Sequence, residues 1–420
     1  MKDRIPLLIL GAGIAGMGAA WKAKKEGLDF KIIEASSSAG GMLQSLKIDG
    51  HIFDQGPNSC VENDVYLDFL KFLEIEDQLI PASLKSKKRF LYQETGIAEV
   101  GGIKDIITAN WISTKGKLRM FIEPFCRKGR AEDESVYDFL KRRIGEEAVT
   151  KIVDPVLGGV YAGNIQKLSA LTVLEGMKLG EQNFGSLFRT FLSAPNPPRQ
   201  ITNLKGGFST LSRAFELKFK EDCLLNSRVE RITQVASGFD VVINGNIISC
   251  KNIVCALPAY VLEKVVLIDP LKKHLQKLSY SSLIVSFFTI QEKDLVIPEG
   301  FGILVPSKLN MGIKGILFTS DIFSGRVKNQ ERNMTVFHSE SNNMRPVESE
   351  LKKILGTEKV SLLAQKRWPK AIPQFEVGFQ MWKSQLDKFV PEGIFLAGNY
   401  LGKVGVADVL KSGYDSTLNC

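Results

Sequence analysis

Apolar residues gather first in the run Ile5-Pro6-Leu7-Leu8-Ile9-Leu10 and again in Leu28 to Ile33. An apolar run of this length with β-branched content predicts a strand buried on both faces. Between the two runs lie GAGIAG and then MGAAWKAKKEG. The latter predicts a helix that Ala19, Ala20 and Ala23 keep thin against the sheet, with Gly27 as its C-cap. Val65 to Leu73 places Leu67, Phe69, Leu70, Phe72 and Leu73 at helical spacing, Arg89 to Tyr92 is strand-like, and Ser135 to Leu140 resembles a helix start. Asp154 to Asn164 holds too many glycines for an ordinary helix interior. That leaves a close-packed turn or, more sharply, a backbone lining a ligand. Residues 195–199 read as a rigid linker or surface loop, and a helix is expected around Leu211 to Phe219.

Strand-like runs follow at Val229 to Ile232, Phe239 to Ile243 and Ile253 to Pro258, the last expected to return in parallel to the first sheet. A helix near 260–278 and strands at 283–290, 301–305, 315–319 and 334–338 come next. Gly393 to Asn399 reads as a buried strand ending in a turn, and Val404 to Asp408 as a glycine-punctuated helix start. The predicted fold class is α/β. A Rossmann-like nucleotide domain is built from three chain segments, 1–75, 204–258 and 366–420. It is interleaved with a largely helical, substrate- and membrane-facing subdomain (76–203) and a mixed α+β substrate-binding part (259–365).

The junction between the first strand and helix carries the chemistry. Gly11, Gly13 and Gly16 form G-x-G-x-x-G around Ala12, Ile14 and Ala15. In such a unit the first glycine permits the tight turn, the second lets a phosphate reach the backbone, and the third lets helix and strand close. The helix N-terminus offers free N–H groups and partial positive charge to a pyrophosphate. Glu34 ends the second strand at the spacing expected of a carboxylate that accepts from ribose hydroxyls, which favours FAD or NAD over NADP. A glycine-rich turn alone would be the plainer reading, but here strand, helix, second strand and acid all accompany it. Gly40-Gly41 and Asp54 to Ser59 follow, and no further alternating βα units do, so FAD is preferred to NAD.

Composition is that of an ordinary globular chain, 44% apolar and 24% charged, long enough for two or three domains. The formal charge of +9 is concentrated in Lys85, Lys87, Lys88 and Arg89 and then in Lys104, Lys115, Lys117, Arg119, Arg127, Lys128 and Arg130. A solvated face, a surface for acidic lipid and a field steering an anionic substrate all fit such a cluster. No nucleic-acid reader module accompanies it, so a nucleic-acid partner is not expected. Six scattered cysteines without C-x-x-C argue against structural zinc and fit a reducing, cytoplasmic setting. Three histidines make no metal-binding motif. The glycine fingerprint lies inside the N-terminal apolar run, so this run is read as mature protein and not as a signal peptide. No other apolar run approaches a membrane span.

The chain resembles protoporphyrinogen-oxidase-type enzymes of the FAD-dependent amine-oxidase superfamily. The resemblance rests on GAGIAG with Glu34 and Gly40-Gly41, DQGPNS at 54–59, RFLY at 89–92, GGVYAGN at 158–164, GFGILVP at 300–306, RWPKAIPQ at 367–374 and LAGNYLGKVGVADVLKSG at 396–413. It runs the length of the chain but is poor over 310–350. It implies that Gly11, Ala12, Gly13, Ile14, Ala15, Gly16, Glu34 and Ala35 hold the pyrophosphate and adenosine end of FAD. Gly41, Met42, Gly56, Pro57, Asn58 and Ser59 border the flavin, and Val229 contacts the adenine side. Trp368 approaches the flavin, and Gly398, Asn399, Val404, Gly405 and Val406 meet its pyrimidine end. A helix N-terminus at Val404 to Val406 would also favour negative charge on a reduced flavin, although core packing is the plainer role for the two valines.

On the substrate side the resemblance implies Arg89, paired with a propionate, and Gly163, Phe301 and Leu304, lining the macrocycle cavity. A guanidinium suits a carboxylate, and an aromatic with an aliphatic residue can sandwich a flat apolar ring. The plain alternatives are a surface cation for Arg89 and core packing for Phe301 and Leu304. The implied reaction takes six electrons from a porphyrinogen in haem biosynthesis, with molecular oxygen as acceptor and hydrogen peroxide as product. No general base is nominated and no metal is expected. Protoporphyrinogen IX and coproporphyrinogen III both remain open as substrates, as do another amine oxidase or desaturase and a non-enzymatic flavin carrier. A monomer or homodimer, with peripheral contact to the cytoplasmic membrane face, completes the expectation.

Overall fold

The computed structural model describes residues 4–101, 103–193, 200–328, 330–339 and 347–417. The expected linker at 195–199 lies outside them. One sheet runs in the order Cys223–Leu224, Phe30–Ile33, Ile5–Leu10, Asn246–Cys255, Gly238–Ile243, Val229–Val235, and Ile394–Leu396 pairs with the far end of Asn246–Cys255. Ile5–Leu10 is parallel to both neighbours, with Leu10 opposite Ile33 and Cys255. Ile394–Leu396 runs parallel to Ile253–Cys255. Five parallel strands therefore end together at Leu224, Ile33, Leu10, Cys255 and Leu396. Chain leaving those carboxyl ends places Gly11, Glu34, Ala256 and Gly398 along one edge, where open α/β sheets bind ligands.

The helix Ile14–Lys25 packs on this sheet, with Met17, Ala19, Ala20 and Ala23 wholly buried. It crosses the last helix, Val406–Ser416, in direct backbone contact. A Cβ added at Gly18 would overlap the Leu410 carbonyl oxygen, and one at Gly413 that of Ala15.

A second sheet runs Ser361–Pro373, Tyr280–Gln291, Glu331–His338, Ile313–Phe318, Gly302–Leu304, Phe90–Gln93, Gly96–Glu99. It is antiparallel except where Gly302–Leu304 lies parallel to Phe90–Gln93. Ser361–Pro373 runs across residue 366 and pairs along its length with Tyr280–Gln291. The expected boundary at 366 therefore falls inside a strand of this sheet. Phe90–Gln93 likewise joins it although it lies within 76–203. A third, small sheet joins Cys60–Val61, Ile201–Leu204 and Leu79–Pro81. Nonlocal strand pairing, which no local pattern reports, carries the strand Ser361–Pro373 across 366 and Phe90–Gln93 into the second sheet.

Two local expectations need correction. Asp154–Tyr161 is a helix despite Gly158 and Gly159, with Pro155 in its first turn and Ala162 at φ +47 as its C-cap. Helix propensity is a weak term beside packing, and Gly159 sits where a Cβ would lie 3.3 Å from Leu304 Cδ2. The helix expected near 260–278 is two, Ala259–Val265 and Asp269–Leu275. Pro270 at the start of the second forbids a continuous helix.

The helical part around Val136–Ile144 and Glu175–Phe184 encloses a buried ionic cluster. Arg143, wholly buried, contacts Glu123 and Glu181. Arg142 reaches Glu134 at 2.7 Å and Glu181 at 2.5 Å, and Lys178 reaches Glu134 at 2.6 Å. Among the described residues no helix is long and apolar enough to cross a bilayer.

Candidate cofactor and substrate site

The glycine turn is built as its sequence requires. Gly11 has φ +96, a conformation L side chains rarely adopt, and its N–H donates to the Ile33 carbonyl at 2.8 Å. A Cβ at Gly16 would overlap the Gly11 carbonyl, so that glycine lets helix and turn close. Beside Gly13, in contrast, the space is open: a Cβ there would meet nothing within 4 Å. Gly13 caps Ile14–Lys25 without a side-chain hydrogen bond, and no acidic residue occupies the helix's first turn. The free N–H groups and positive pole of the helix are thus directed at an open cradle.

Glu34 is buried beside this turn. Its carboxylate accepts from Ala12 N and from Ser36 N, each at 2.8 Å, leaving further lone pairs on both oxygens. Ala35, next to it, is exposed. Gly40 N donates to Ala12 O at 2.9 Å, and a Cβ on Gly41 would stand 3.3 Å from the Gly13 Cα. A Cβ at Gly56 would strike the Met42 carbonyl, so the 40–42 and 54–59 stretches stack on each other beside Gly13. Asn58 Nδ2 donates to Gly56 O at 2.9 Å, whereas Asn58 Oδ1 is buried without a partner among the described residues. Pro57 and Ser59 are half-buried. Val229 is buried in the core cluster with Leu8, Leu10 and Ile33.

Two further elements close on the same stretch, and Gly398 is tied to the second of them. The Trp368 indole donates to Gln55 O at 2.7 Å. Gly405 caps Val406–Ser416 without a side-chain hydrogen bond, and the Cys60 thiol lies against the Ala407 backbone. Burial pushes that thiol up to about 12, so Cys60 is an unreactive, protonated neighbour. Gly398, at φ +143, receives its position from a 3.2 Å bond to Ser412 Oγ, with Asn399 following. Val404 and Val406 pack into the hydrophobic core beside them.

Arg89, Phe301 and Leu304 come together on the second sheet. The exposed Arg89 guanidinium stands 5.1 Å from the Phe301 ring centroid. Ile303 and Val305 enter the core with Phe288 and Met334, whereas Phe301 packs with Ile322 and Phe323. Strict alternation would put 301 and 303 on one face; Gly302 at φ +152 breaks it. Gly163 sits elsewhere, in contact with Gln374 just past the opposite edge strand Ser361–Pro373. Asp154–Tyr161 spans the interval. Asp154 accepts from Ser307 N at 2.9 Å at one end, and Tyr161 O accepts from Gln374 Nε2 at 2.9 Å at the other.

Sequence reading missed Asn203 and Arg326, both buried against Asp54, and Lys370, which lies over the rings of Tyr260 and Tyr280. Asp54 lies in DQGPNS and Lys370 in RWPKAIPQ, but nothing local marks Asn203 or Arg326.

The model for flavin containing amine oxidoreductases matches residues 14–416. The chain belongs to this family. Among its relatives, the mitochondrial protoporphyrinogen oxidase of Nicotiana tabacum is 30% identical, over 96% of this chain and 92% of that protein. The coproporphyrinogen III oxidase of Bacillus subtilis (strain 168) is 24% identical over 97% and 96%. A crystal structure from Exiguobacterium sp. 255-15 superposes with TM-score 0.85 at 20% identity, covering 100% of this chain and 98% of the other. Wild-type putrescine oxidase bound to putrescine superposes at 0.71 with 14% identity, covering 99% and 98%. This member of the family is a flavoprotein oxidoreductase of α/β architecture.

Proposed function

We propose that the chain is an FAD-dependent oxidase of a porphyrinogen, with protoporphyrinogen IX as substrate. The observation that carries the reading is the open, uncapped glycine cradle at Gly13, in a chain whose second sheet holds Arg89 over Phe301 and Leu304 beside Gly159. Relatives named as porphyrinogen oxidases along nearly the whole chain support it. The residues fit FAD. Gly11 to Gly16 would receive the pyrophosphate, Glu34 and Ala35 the ribose, and Val229 the adenine side. Gly41, Met42, Gly56 to Ser59, Trp368, Gly398, Asn399 and Val404 to Val406 would surround the ring.

When bound, FAD supplies a two-electron acceptor for hydride from a methylene bridge of the macrocycle. Complete six-electron oxidation of the porphyrinogen would consume three molecules of oxygen and yield three of hydrogen peroxide. The chain's own residues bind and orient. Arg89 offers two parallel N–H donors to a propionate, and Phe301 and Leu304 press on the ring face, whereas the helix N-terminus at Gly405 already carries Asp408 in its first turn.

Two of the lysines beside Arg89 are neutralised, Lys85 by Glu299 at 2.6 Å and Lys88 by Glu99 at 3.1 Å. A thin cationic rim suits the two propionates of protoporphyrinogen IX. A second reading, coproporphyrinogen III with four, is favoured by Lys366 over Trp368 and Lys370 over Tyr260, cations held by aromatic rings instead of carboxylates. Both porphyrinogens, given separately to the purified protein under air, distinguish them by porphyrin fluorescence and peroxide. A yellow protein with faster fluorescence growth on protoporphyrinogen IX is expected; no growth with either removes the enzymatic reading.

The helical part supports peripheral contact with a membrane. Leu118, Phe121, Phe125, Phe188, Phe191 and Leu192 are exposed, Phe125 by 85% and Phe191 by 80%. Lys115, Arg127, Lys128, Arg130 and Arg189 are exposed around them. Apolar residues ringed by cations suit an anionic lipid surface, which supports the reading of a peripheral contact with a membrane face.

A further inference from the structure

The stretch Asp54 to Ser59 is gripped from outside its own sheet. Asp54 is 3% exposed, and its carboxylate takes four donors. Oδ1 accepts from Ser45 Oγ at 2.7 Å and Phe208 N at 2.9 Å; Oδ2 accepts from Asn203 Nδ2 at 2.9 Å and faces Arg326 Nη1 at 3.1 Å. The Asn203 amide also donates to Asn58 O at 2.8 Å, so one side chain ties both ends of the loop.

Arg326 alone among these four comes from residues 259–365. It is 1% exposed, and its backbone oxygen accepts from Ile52 N at 3.0 Å, so it holds the strand His51–Asp54 as well as the carboxylate that ends it. Its other arm, Nη2, donates to Leu204 O at 3.3 Å, next to Asn203. The next residue along, Gln55, is held by Trp368 from the same sheet that contains Glu331–His338. Phe53 packs on Phe287 of that sheet, ring centroids 5.0 Å apart. Packing of that kind would already join the two parts, so a buried charge is not needed for adhesion. Hydrophobic replacement of buried ion pairs is commonly tolerated. A directional pair, however, fixes where Asp54 sits, and with it the backbone of Gly56 to Ser59.

We propose that Arg326 is a positioning residue for the cofactor: through Asp54 and Asn203 it sets the conformation of the loop that meets the flavin. This rests on the FAD reading above. The loop backbone then reaches the ring only while the second sheet is docked, which links substrate-side packing to flavin retention.

The decisive variant is the double replacement Arg326→Met with Asp54→Asn, which leaves no lone buried charge. FAD titration of the apoprotein, the shape of the bound-flavin absorbance band and KM for porphyrinogen at saturating FAD are measured. The Kd for FAD is expected to rise at least tenfold and the band to shift, with KM changed less than twofold and circular dichroism unchanged. A folded double variant that binds FAD with wild-type Kd and band overturns the proposal. Should it fail to fold, Arg326→Lys decides: it keeps the charge but loses the second arm to Leu204, and at least a threefold rise in Kd is expected, an unchanged Kd overturning the proposal. Failure of the FAD reading looks different, because wild-type protein itself would then take up no flavin.

Discussion

Gly413 lies directly on the Ala15 carbonyl, with no room for a Cβ between the helices Ile14–Lys25 and Val406–Ser416. Gly18 meets Leu410 in the same way one turn along. The first helix begins at the phosphate cradle and the last at Gly405, so their crossing fixes both helix N-termini relative to each other. Gly413→Ala must push backbone against backbone. A loss of about 3 kcal/mol is expected, the upper end for overpacking a core, read as a lower thermal midpoint together with weaker flavin retention.

Glu34→Gln keeps the size of the side chain and removes its charge, while the bonds from Ala12 and Ser36 lose their charge assistance. Hydrogen bonds to a charged group are worth about 1.5–3 kcal/mol. The Kd for FAD should therefore rise by about one to two orders of magnitude, with far-ultraviolet circular dichroism unchanged. Equal affinity for FAD in the variant would exclude Glu34 from the ribose site.

Arg89 carries an aromatic partner and, among the described residues, no carboxylate. Arg89→Ala is expected to raise KM for the porphyrinogen about tenfold or more, the cost of one charge-assisted contact. Its exposure predicts little effect on melting. Initial rates across a range of porphyrinogen concentrations separate this from a change in kcat alone, which would argue against a substrate contact.

The ionic cluster in the helical part predicts an acid limit. Burial alone would raise Glu123, but donation from Ser186, Leu187 N, Arg143 and Phe188 N outweighs it and holds the carboxyl below its usual value. Burial likewise opposes, and Arg142, Gly129 N and Arg143 overcome, the shift of Glu181, also lowered. A folded pKa below the unfolded one stabilises above the unfolded value, about 4.3 for Glu, and that stability disappears as pH falls through the folded value. Helix content should thus hold down to about pH 4 and fall below it. Arg143→Met strands a buried Glu123 and is expected to cost about 3–5 kcal/mol at pH 7, with the loss shrinking as the pH drops.

Sedimentation with vesicles tests the apolar face. Binding to anionic vesicles and not to neutral ones is expected, and the double variant Phe125→Ser with Phe191→Ser should reduce it severalfold while leaving solution turnover intact. Retention of binding by that variant would move the contact elsewhere.

The nucleotide-binding unit was legible from residue order alone, because strand, turn, helix, strand and acid lie within one short stretch and each requirement is local. Gly11 needs a positive φ, Gly16 needs to lack a Cβ, and both demands are legible in the residue type. Arg89 and the strand Gly302–Leu304 were legible only through resemblance, and the positive φ of Gly302 that breaks the alternation was not. Tertiary structure alone decided that Asp154–Tyr161 is a helix, since packing of Gly159 against Leu304 outweighs poor propensity. It alone brought Asn203 across 149 positions, and Arg326 from farther still, to one carboxylate. Such meetings depend on which strands pair, and strand pairing is a property of the whole chain.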